Sequence, residues 1–401
     1  MAVYPVKWFS SDMQGAPSLG DTADGALSAL IKAVLVTGFG TLTINALSFD
    51  AAKGWAVATF SGGHAYQQDS VIQVDGVSPA AYNGEHRVMQ VSTTQVWFEL
   101  DGGNPAAAGS GASMTMKVAP LGWTITHESA DGKIFIVRPT NVSESGNVSL
   151  RIDNSAWSGW TGPNVGVYPM YLAKVAMVED VVDLSRYTEI YENRWPATGR
   201  YSNKRWDIIG DGQMFYFMPA FAQYNQQACY PFGYIKSVRP GDRYHAVLDF
   251  YPGTSIAATH NWSWSQIGTL TYFGDTFGKL NDSSQRVIAR PYTQLFGSTN
   301  FSLRGLFSLF GTGISVPNGP DNAFYVSSDP IMVLESGSHL RGYMPGLVNP
   351  YGSIQGWDRK NFKDLPALPG KMVRFVMVQR DSNLNGNTAT MCGFDITGPW
   401  R

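Results

Sequence analysis

The chain has 401 residues, of which 44% are hydrophobic, 13% aromatic and only 15% charged, and its net charge is −2. Charged residues fall well below the roughly 25% typical of soluble domains, so we expect neighbouring molecules to cover part of the surface. The sequence has no basic arm, which argues against direct nucleic-acid binding. No run of about 18 uncharged apolar residues occurs, so no membrane insertion is expected.

The spread of turn-forming residues predicts a mainly β protein. The 43 glycines and 22 prolines punctuate the whole chain, as in proteins built from many short strands. Residues 1–11 lack the apolar core of a secretory signal, so we expect synthesis and folding in a cytoplasm. Cys229 and Cys392 lie far apart and share no CxxC pattern, which favours two buried free thiols.

One helix is predicted, from Thr22 to Leu35, with Asp21 as its cap and Gly38 as its stop. A lone helix with one apolar stripe must lie on a sheet or on a neighbouring subunit, so its stripe is both a candidate interface and a candidate for internal packing. The stripe consists of Leu27, Leu30, Ile31, Val34 and Leu35.

Six short strands follow at spacings of about ten residues, which is typical of a small closed barrel or sandwich. We expect this six-stranded barrel, at residues 41–118, to be inserted into a larger, sandwich-like β domain formed by residues 1–40 and 119–401, because compact modules tolerate insertion at exposed loops. The six strands are NALSFD, WAVATFS, SVIQVDG, HRVMQVS, QVWFELD and SMTMKVA.

The strongest strand signals lie between Arg205 and Tyr251. Apolar runs flank a glycine-rich corner at residues 210–212, which predicts a hairpin. A second strand, after the turn at residues 240–242, alternates apolar residues at spacing two. This alternation places His245 on the opposite face, where we expect it to be solvent-facing or hydrogen-bonded.

Catalytic and metal-binding motifs are not found in the sequence. The six histidines form no HExxH or HxH pair, and no GxSxG elbow or phosphate-binding loop occurs. Asp207, Asp211 and Asp242 could supply the paired carboxylates of a glycosidase, but Asp211 and Asp242 stand in turn positions, where carboxylates cap backbone N–H groups. We therefore expect no enzyme activity, no metal and no cofactor.

Part of the predicted barrel resembles a module that is widespread in tail proteins of tailed bacteriophages and similar to the small β-barrel half-domain of ubiquitin-activating enzymes. The sequence departs from the usual pattern at Gln68, where glycine is usual, and at Tyr82, where leucine is usual. The matching positions are His64, Asp69, Val71, Gly76, Asn83 and Gly84.

The whole chain resembles a family of proteins of about 400 residues that are encoded among the tail genes of phages and prophages. The resemblance implies a virion component, synthesised in the host bacterial cytoplasm and placed at the tail tip or baseplate. The pieces that carry it are VKWFSSDMQGAP, ALIKAVLVTGFG, VAPLGW, WDIIGDGQMFYF, LRGYMPGL and FDITGPWR.

Three functional hypotheses follow from these observations. The first is a tail-tip or baseplate subunit that forms a symmetric homo-oligomer and holds other tail proteins, with Leu27, Leu30, Ile31, Val34, Trp400 and Arg401 as candidate interface residues. The second is recognition of a host surface glycan, with Trp262, Trp264 and Trp195 as candidate contacts to glycan or partner. The third is a head decoration or head–tail connector protein.

Overall fold

The structure is a computed structural model. It describes residues 4–19, 24–143, 145–155, 172–197, 205–220, 227–250, 286–305, 318–336, 338–350, 355–379 and 389–401. Strands dominate these residues, so the predicted mainly β fold is confirmed. Among them no helix is long and apolar enough to span a membrane.

The first thirteen strands are β1 (Lys7–Ser10), β2 (Phe39–Thr43), β3 (Ala46–Asp50), β4 (Trp55–Thr59), β5 (Val71–Asp75), β6 (Gly84–Val91), β7 (Gln95–Phe98), β8 (Thr115–Val118), β9 (Trp123–Glu128), β10 (Ile134–Pro139), β11 (Ser149–Asp153), β12 (Leu172–Glu179) and β13 (Thr188–Pro196). The others are β14 (Trp206–Gly210), β15 (Met214–Pro219), β16 (Tyr230–Tyr234), β17 (Lys236–Ser237), β18 (Ala246–Asp249), β19 (Arg286–Ile288), β20 (Thr299–Arg304), β21 (Val326–Ser327), β22 (Met332–Glu335), β23 (His339–Tyr343), β24 (Leu347–Pro350), β25 (Asn361–Leu365), β26 (Leu368–Gln379) and β27 (Ala389–Asp395). Short 3₁₀ helices occupy Ala80–Tyr82 and Gln355–Trp357.

The predicted helix is present but shorter than expected. Helix α1 spans Ala26–Lys32 and continues as a π-helical turn, Ala33–Thr37, that ends at the predicted stop, Gly38. Its first turn is capped from far along the chain, since the buried Asn154 side chain accepts a hydrogen bond from the backbone N–H of Leu27 at 2.9 Å. The expected cap, Asp21, lies outside the described residues.

All six strands predicted between residues 41 and 118 are present, and β2 adds a seventh. They form one sheet in the order β2-β8-β5-β6-β7-β4-β3. Its two end strands, β2 and β3, are consecutive in the chain and separated only by Ile44 and Asn45, so the sheet curls back towards itself and is partly barrel-like. We call residues 39–118 the half-barrel.

The chain leaves and re-enters the rest of the fold at neighbouring points on either side of the half-barrel. The backbone N–H groups of Leu121 and Gly122 donate to the carbonyls of Val34 and Leu35, each at 2.9 Å. The π-helical turn before β2 is thus paired with the segment after β8, which is the geometry that an insertion requires.

A ten-stranded antiparallel sheet forms the centre of the molecule, in the order β1-β14-β15-β16-β18-β19-β20-β22-β23-β17. The predicted hairpin is confirmed as β14 and β15, in which Trp206 pairs with Pro219 and Gly210 with Phe215. The chain passes from β16, in the middle of this sheet, to the end strand β17 through the single residue Ile235. The sheet therefore closes into a ring of strands, in the order β16, β18, β19, β20, β22, β23 and β17. The expected sandwich-like domain therefore contains a small closed barrel.

Two five-stranded sheets complete the fold. One is the meander β13-β12-β11-β10-β9, and the other, the C-terminal sheet, has the order β21-β24-β27-β26-β25. One continuous apolar core runs from α1 through the half-barrel to the ten-stranded sheet and one face of β27. A smaller core fills the outer side of the C-terminal sheet.

Candidate functional site

The predicted helical interface is buried inside the chain. Leu27, Leu30, Ile31 and Val34 each have 0% exposed surface, and all belong to the main core. The expectation that this stripe contacts a neighbouring subunit is therefore corrected. A lone amphipathic helix needs a partner surface, and here the chain's own sheets supply it.

Trp195 is buried as well and offers no face to a glycan. Its side chain is 0% exposed, and its indole N–H donates to the carbonyl of Asp249 at 2.7 Å. The ring packs against Phe215 and Phe217, with centroids 6.0 and 5.7 Å away. The proposed glycan contact at Trp195 is corrected to core packing, while Trp262 and Trp264 lie outside the described residues.

The C-terminal residues are docked on the ten-stranded sheet. Trp400 is 7% exposed, lies 5.9 Å from the Tyr216 ring and donates to the Asp395 carbonyl at 2.7 Å. Arg401 pairs with the Asp211 carboxylate at 3.3 Å and donates to the Tyr234 carbonyl at 2.7 Å. The burial of Trp400 is internal, which corrects the expectation of an intersubunit contact there. Arg401 is exposed, and the contact expected at Arg401 stays a prediction.

The pieces of sequence that carry the family resemblance meet around this docked end. A Cβ on Gly346, in the LRGYMPGL piece, would lie 2.0 Å from Trp400, and a Cβ on Gly398 would lie 2.7 Å from Val6 of the first strand segment. Trp123, from the VAPLGW piece, donates to the carbonyl of Asp211 at 3.0 Å. We call this region the terminal junction; it comprises Val6, Trp123, Asp211, Tyr216, Gly346 and Gly398–Arg401.

Asp211 and Asp242 have the turn roles that the sequence predicted. The Asp211 carboxylate accepts from the N–H groups of Gln213 and Met214 at 2.8 and 2.7 Å. That of Asp242 accepts from the N–H of Tyr244 at 3.1 Å. Asp242 also pairs with the buried Arg341 at 2.7 Å, an interaction that sequence spacing does not reveal because the two residues are 99 positions apart.

Asp207 does not lie in a turn. It is 0% exposed on β14 and faces three guanidinium groups. Arg359 donates to it at 3.0 Å, Arg374 at 3.4 Å, and Arg205 lies 3.8 Å away. The Gln227 amide donates to the Oδ2 of Asp207 at 2.9 Å. Burial lowers the pKa of Arg374 to about 10, although the neighbouring Asp207 opposes that shift.

Two further carboxylates balance the charge of this ionic cluster. Asp12 accepts from Arg359 at 2.6 Å, and Asp358 lies 2.7 Å from Arg205. Three carboxylates therefore meet three guanidinium groups, which satisfies the condition under which buried charges are tolerated. The cluster ties β1 and β14 to the C-terminal sheet, and its lack of exposed carboxylate surface at Asp207 fits a fastening role rather than glycoside hydrolysis. Its six members are Asp12, Asp207, Asp358, Arg205, Arg359 and Arg374.

His245 is buried rather than solvent-facing. Its ring is 9% exposed and lies 5.0 Å from the ring of Tyr234. Burial lowers the pKa of His245 to about 4, and this outweighs the nearby Asp242, which acts to raise it. The expectation that His245 faces solvent is therefore wrong: it lies directly before β18, and Tyr234 of the neighbouring strand β16 covers its ring.

A cleft of ≈ 560 Å³ opens at one corner of the half-barrel. None of its lining side chains is a lysine, an arginine or a carboxylate, so it presents neutral donors and acceptors. His64 lies at its end, accepting from the N–H of Tyr66 at 3.2 Å and bonded to the Gln95 carbonyl at 3.1 Å; burial lowers its pKa. The lining residues are Gln14, Leu42, Thr43, Asn45, Phe60, Ser61, Gly62, Gly63 and His64.

The most exposed large apolar side chains of the described residues stand close together in the loop after β19. Leu295 and Phe296 are both 69% exposed. The Tyr292 ring packs against that of His339, with centroids 5.3 Å apart and the planes tilted by 53°, and this contact joins the loop to β23. Sequence analysis missed this group because the segment has no period and no motif. We call it the apolar surface; it comprises Tyr292, Leu295 and Phe296.

Among the described residues, no group of three or more His, Cys, Asp and Glu side chains is arranged to hold a metal ion. The features that remain for function are thus the terminal junction, the ionic cluster, the neutral cleft and the apolar surface. No protein-family model matches the sequence, and a search of curated proteins finds no significant relative.

Proposed function

We propose that the protein is a structural subunit of a bacteriophage virion, placed at the tail tip or baseplate and acting through protein–protein assembly. The apolar surface is the observation that carries this proposal. Leu295 and Phe296 are each 69% exposed, while Asp207, Glu335, Arg341 and Arg374 are buried. A chain that buries charges and exposes aromatic and aliphatic groups together gains stability when a neighbour covers the exposed groups.

The internal fastening of the chain supports the same function. The terminal junction and the ionic cluster hold both ends of the chain and the central sheet together; the pair Asp12 and Arg359 alone joins residues 347 positions apart. A subunit that transmits load between neighbours needs such cross-linking within itself. The resemblance to phage tail proteins supplies the biological setting, and five of its six sequence pieces contribute residues to the terminal junction.

The assembly proposal is tested by sedimentation of the purified full chain across a concentration series. We expect the wild type to form a defined oligomer and the Leu295→Glu, Phe296→Glu double variant to remain monomeric, because two charges in an apolar interface would have to be desolvated. Val142→Glu is the matched control, since Val142 is 44% exposed but lies outside the apolar surface. A wild type that stays monomeric at every concentration, or a double variant that assembles like it, would contradict the proposal.

A second candidate function, recognition of a neutral host glycan, is favoured by the cleft in the half-barrel. Neutral amide and hydroxyl groups such as those of Gln14, Thr43 and Asn45 suit the hydroxyls of a sugar, and ≈ 560 Å³ lies within the usual range of ligand pockets. Titration calorimetry with neutral oligosaccharides tests it. Thr43→Val should weaken binding, and Thr188→Val on β13 should not. If no sugar in the panel produces a binding heat, or if both variants bind equally, this function is excluded.

A further inference from the structure

The two cysteines, which are separated by 163 positions in the sequence, are brought together between two sheets. Cys229 lies immediately before β16. The register of β15 and β16 pairs Tyr216 with Pro231 and Phe217 with Tyr230, and the bridge between Ala220 and Gln227 continues it. Cys229 is therefore opposite Met218, on the same face as Tyr216.

Cys392 lies on β27 and shares a face with Phe394, two residues further along. The rings of Tyr216 and Phe394 pack at 5.0 Å, so the face that carries Cys229 is packed on the face that carries Cys392. Both cysteines belong to the same core, with 4% and 0% of their surface exposed. The Cys392 thiol lies close enough to that of Cys229 to raise its pKa.

We propose that Cys229 and Cys392 are a disulfide-forming pair that, when oxidised by a peroxide, joins the ten-stranded sheet to the C-terminal sheet. Both cysteines are free in the structure, which thus represents the reduced form. Neither sequence spacing nor the proposed virion function implies this bond, and the inference does not depend on that function.

The reaction balances with hydrogen peroxide as the oxidant. The Cys229 thiolate, which is the more exposed of the two, attacks one peroxide oxygen; the O–O bond breaks, a sulfenic acid forms, and the displaced hydroxide takes up a proton to leave as water. The Cys392 sulfur then attacks the sulfenic sulfur, the S–S bond forms, and the departing hydroxide takes the thiol proton as a second water. Two thiols are oxidised and one peroxide is reduced.

The residues around the two cysteines determine how fast Cys229 is oxidised. The neighbouring Cys392 thiol and burial raise the pKa of Cys229 well above its ordinary value, and nearby Asp249 acts in the same direction while Arg286 opposes it. Tyr216 is the other titratable neighbour, and burial raises its own pKa. Little thiolate is present at neutral pH, so oxidation should be slow there and should accelerate about tenfold for each unit of pH rise.

Peptide mapping of the full chain without reductant, after treatment with hydrogen peroxide and dimedone, tests the proposal. We expect wild type to yield a Cys229–Cys392 crosslinked peptide, and Cys392→Ser to yield a dimedone adduct on Cys229. The crosslink should also raise the thermal unfolding midpoint, because it closes a long loop in the unfolded chain, and dithiothreitol should reverse the rise.

Exposure to peroxide is continued until Cys229 of the Cys392→Ser variant is fully modified. Wild type that then carries a dimedone adduct, a sulfinic acid or two free thiols in place of the crosslink would overturn the proposal. If Cys392→Ser fails to fold, as judged by circular dichroism, Cys392→Ala replaces it. Wild type oxidised in denaturant gives the unfolded reference. A crosslinked fraction of oxidised Cys229 that is no larger in the native chain than in denaturant would also overturn the proposal.

Discussion

The half-barrel and the terminal junction are held together in different ways. In the half-barrel, apolar side chains of neighbouring strands such as Ile72 and Val88 fill a core while polar residues face outwards. In the junction, the important contacts join residues far apart in sequence, such as Asp211 with Arg401 and Gly346 with Trp400. The stability of the half-barrel should therefore fall gradually as core volume is removed, whereas the stability of the junction should depend on individual contacts and charges.

The difference predicts that equal-sized substitutions have unequal effects in the two regions. Cores of alternating apolar residues lose stability in proportion to the volume removed. A buried ion pair that loses one partner leaves a charge without compensation. The substitutions below use this contrast.

The largest effect is expected for Asp207→Asn. It leaves the guanidinium groups of Arg359 and Arg374 facing a neutral amide in a buried site, which should cost about 3–5 kcal/mol of unfolding free energy. Urea denaturation measures the loss. Asp75→Asn, on the exposed end of β5 in the half-barrel, is the control and should change stability by less than about 0.5 kcal/mol. Equal effects of the two substitutions would refute the fastening role of the cluster.

Gly346→Ala should be next. Gly346 has φ +66° and its Cβ would lie 2.0 Å from Trp400, so strain and displacement of the indole together should cost about 4 kcal/mol. Gly54→Ala in the half-barrel isolates the backbone part of this cost, because φ is +73° there and nothing lies within 4 Å of the added Cβ. That control should lose about 1 kcal/mol of unfolding free energy. The difference between the two losses, measured from denaturation midpoints, gives the cost of displacing the Trp400 side chain.

His245 should make the closed ring sensitive to acid. Burial lowers its pKa to about 4 from about 6.5 in the unfolded chain, so the unfolded state binds more protons between these values. The stabilisation is complete above pH 6.5 and is lost as the pH falls towards 4, by on the order of 2–3 kcal/mol.

His245→Gln should remove this dependence, measured as unfolding free energy against pH. Burial raises the pKa of Asp249 to about 6, so that group is stabilised by protonation in the fold and works in the opposite direction as the pH falls. Asp249 is present in both proteins, so their difference reports His245 alone. A difference that does not vary between pH 4 and 6.5 would show that the ring protonates freely.

The smallest effect is expected in the half-barrel core. Ile72 is 0% exposed, and Ile72→Val removes one methyl group, which should cost about 1 kcal/mol. Thermal denaturation is sufficient to measure it. A loss as large as that of Gly346→Ala would mean that the half-barrel is as sensitive as the terminal junction, and the contrast between the regions would disappear.

The same contrast explains how much the sequence could predict. The half-barrel strands and the β14–β15 hairpin follow from local alternation and glycine turns, and these were predicted. The partners of Asp207 could not be, because Arg359 and Arg374 lie more than 150 positions away and no local pattern marks them. The stripe of α1 was recognised as apolar, but amphipathicity alone does not distinguish a sheet of the same chain from a neighbouring subunit.

The central claim, that this chain is a structural subunit of a phage tail, is tested most directly by immunogold electron microscopy of purified virions with antibody raised against the full chain. The account predicts label at the tail tip or baseplate. Label on the head would favour a decoration or connector protein, and particles without label, confirmed by mass spectrometry of their proteins, would contradict the account.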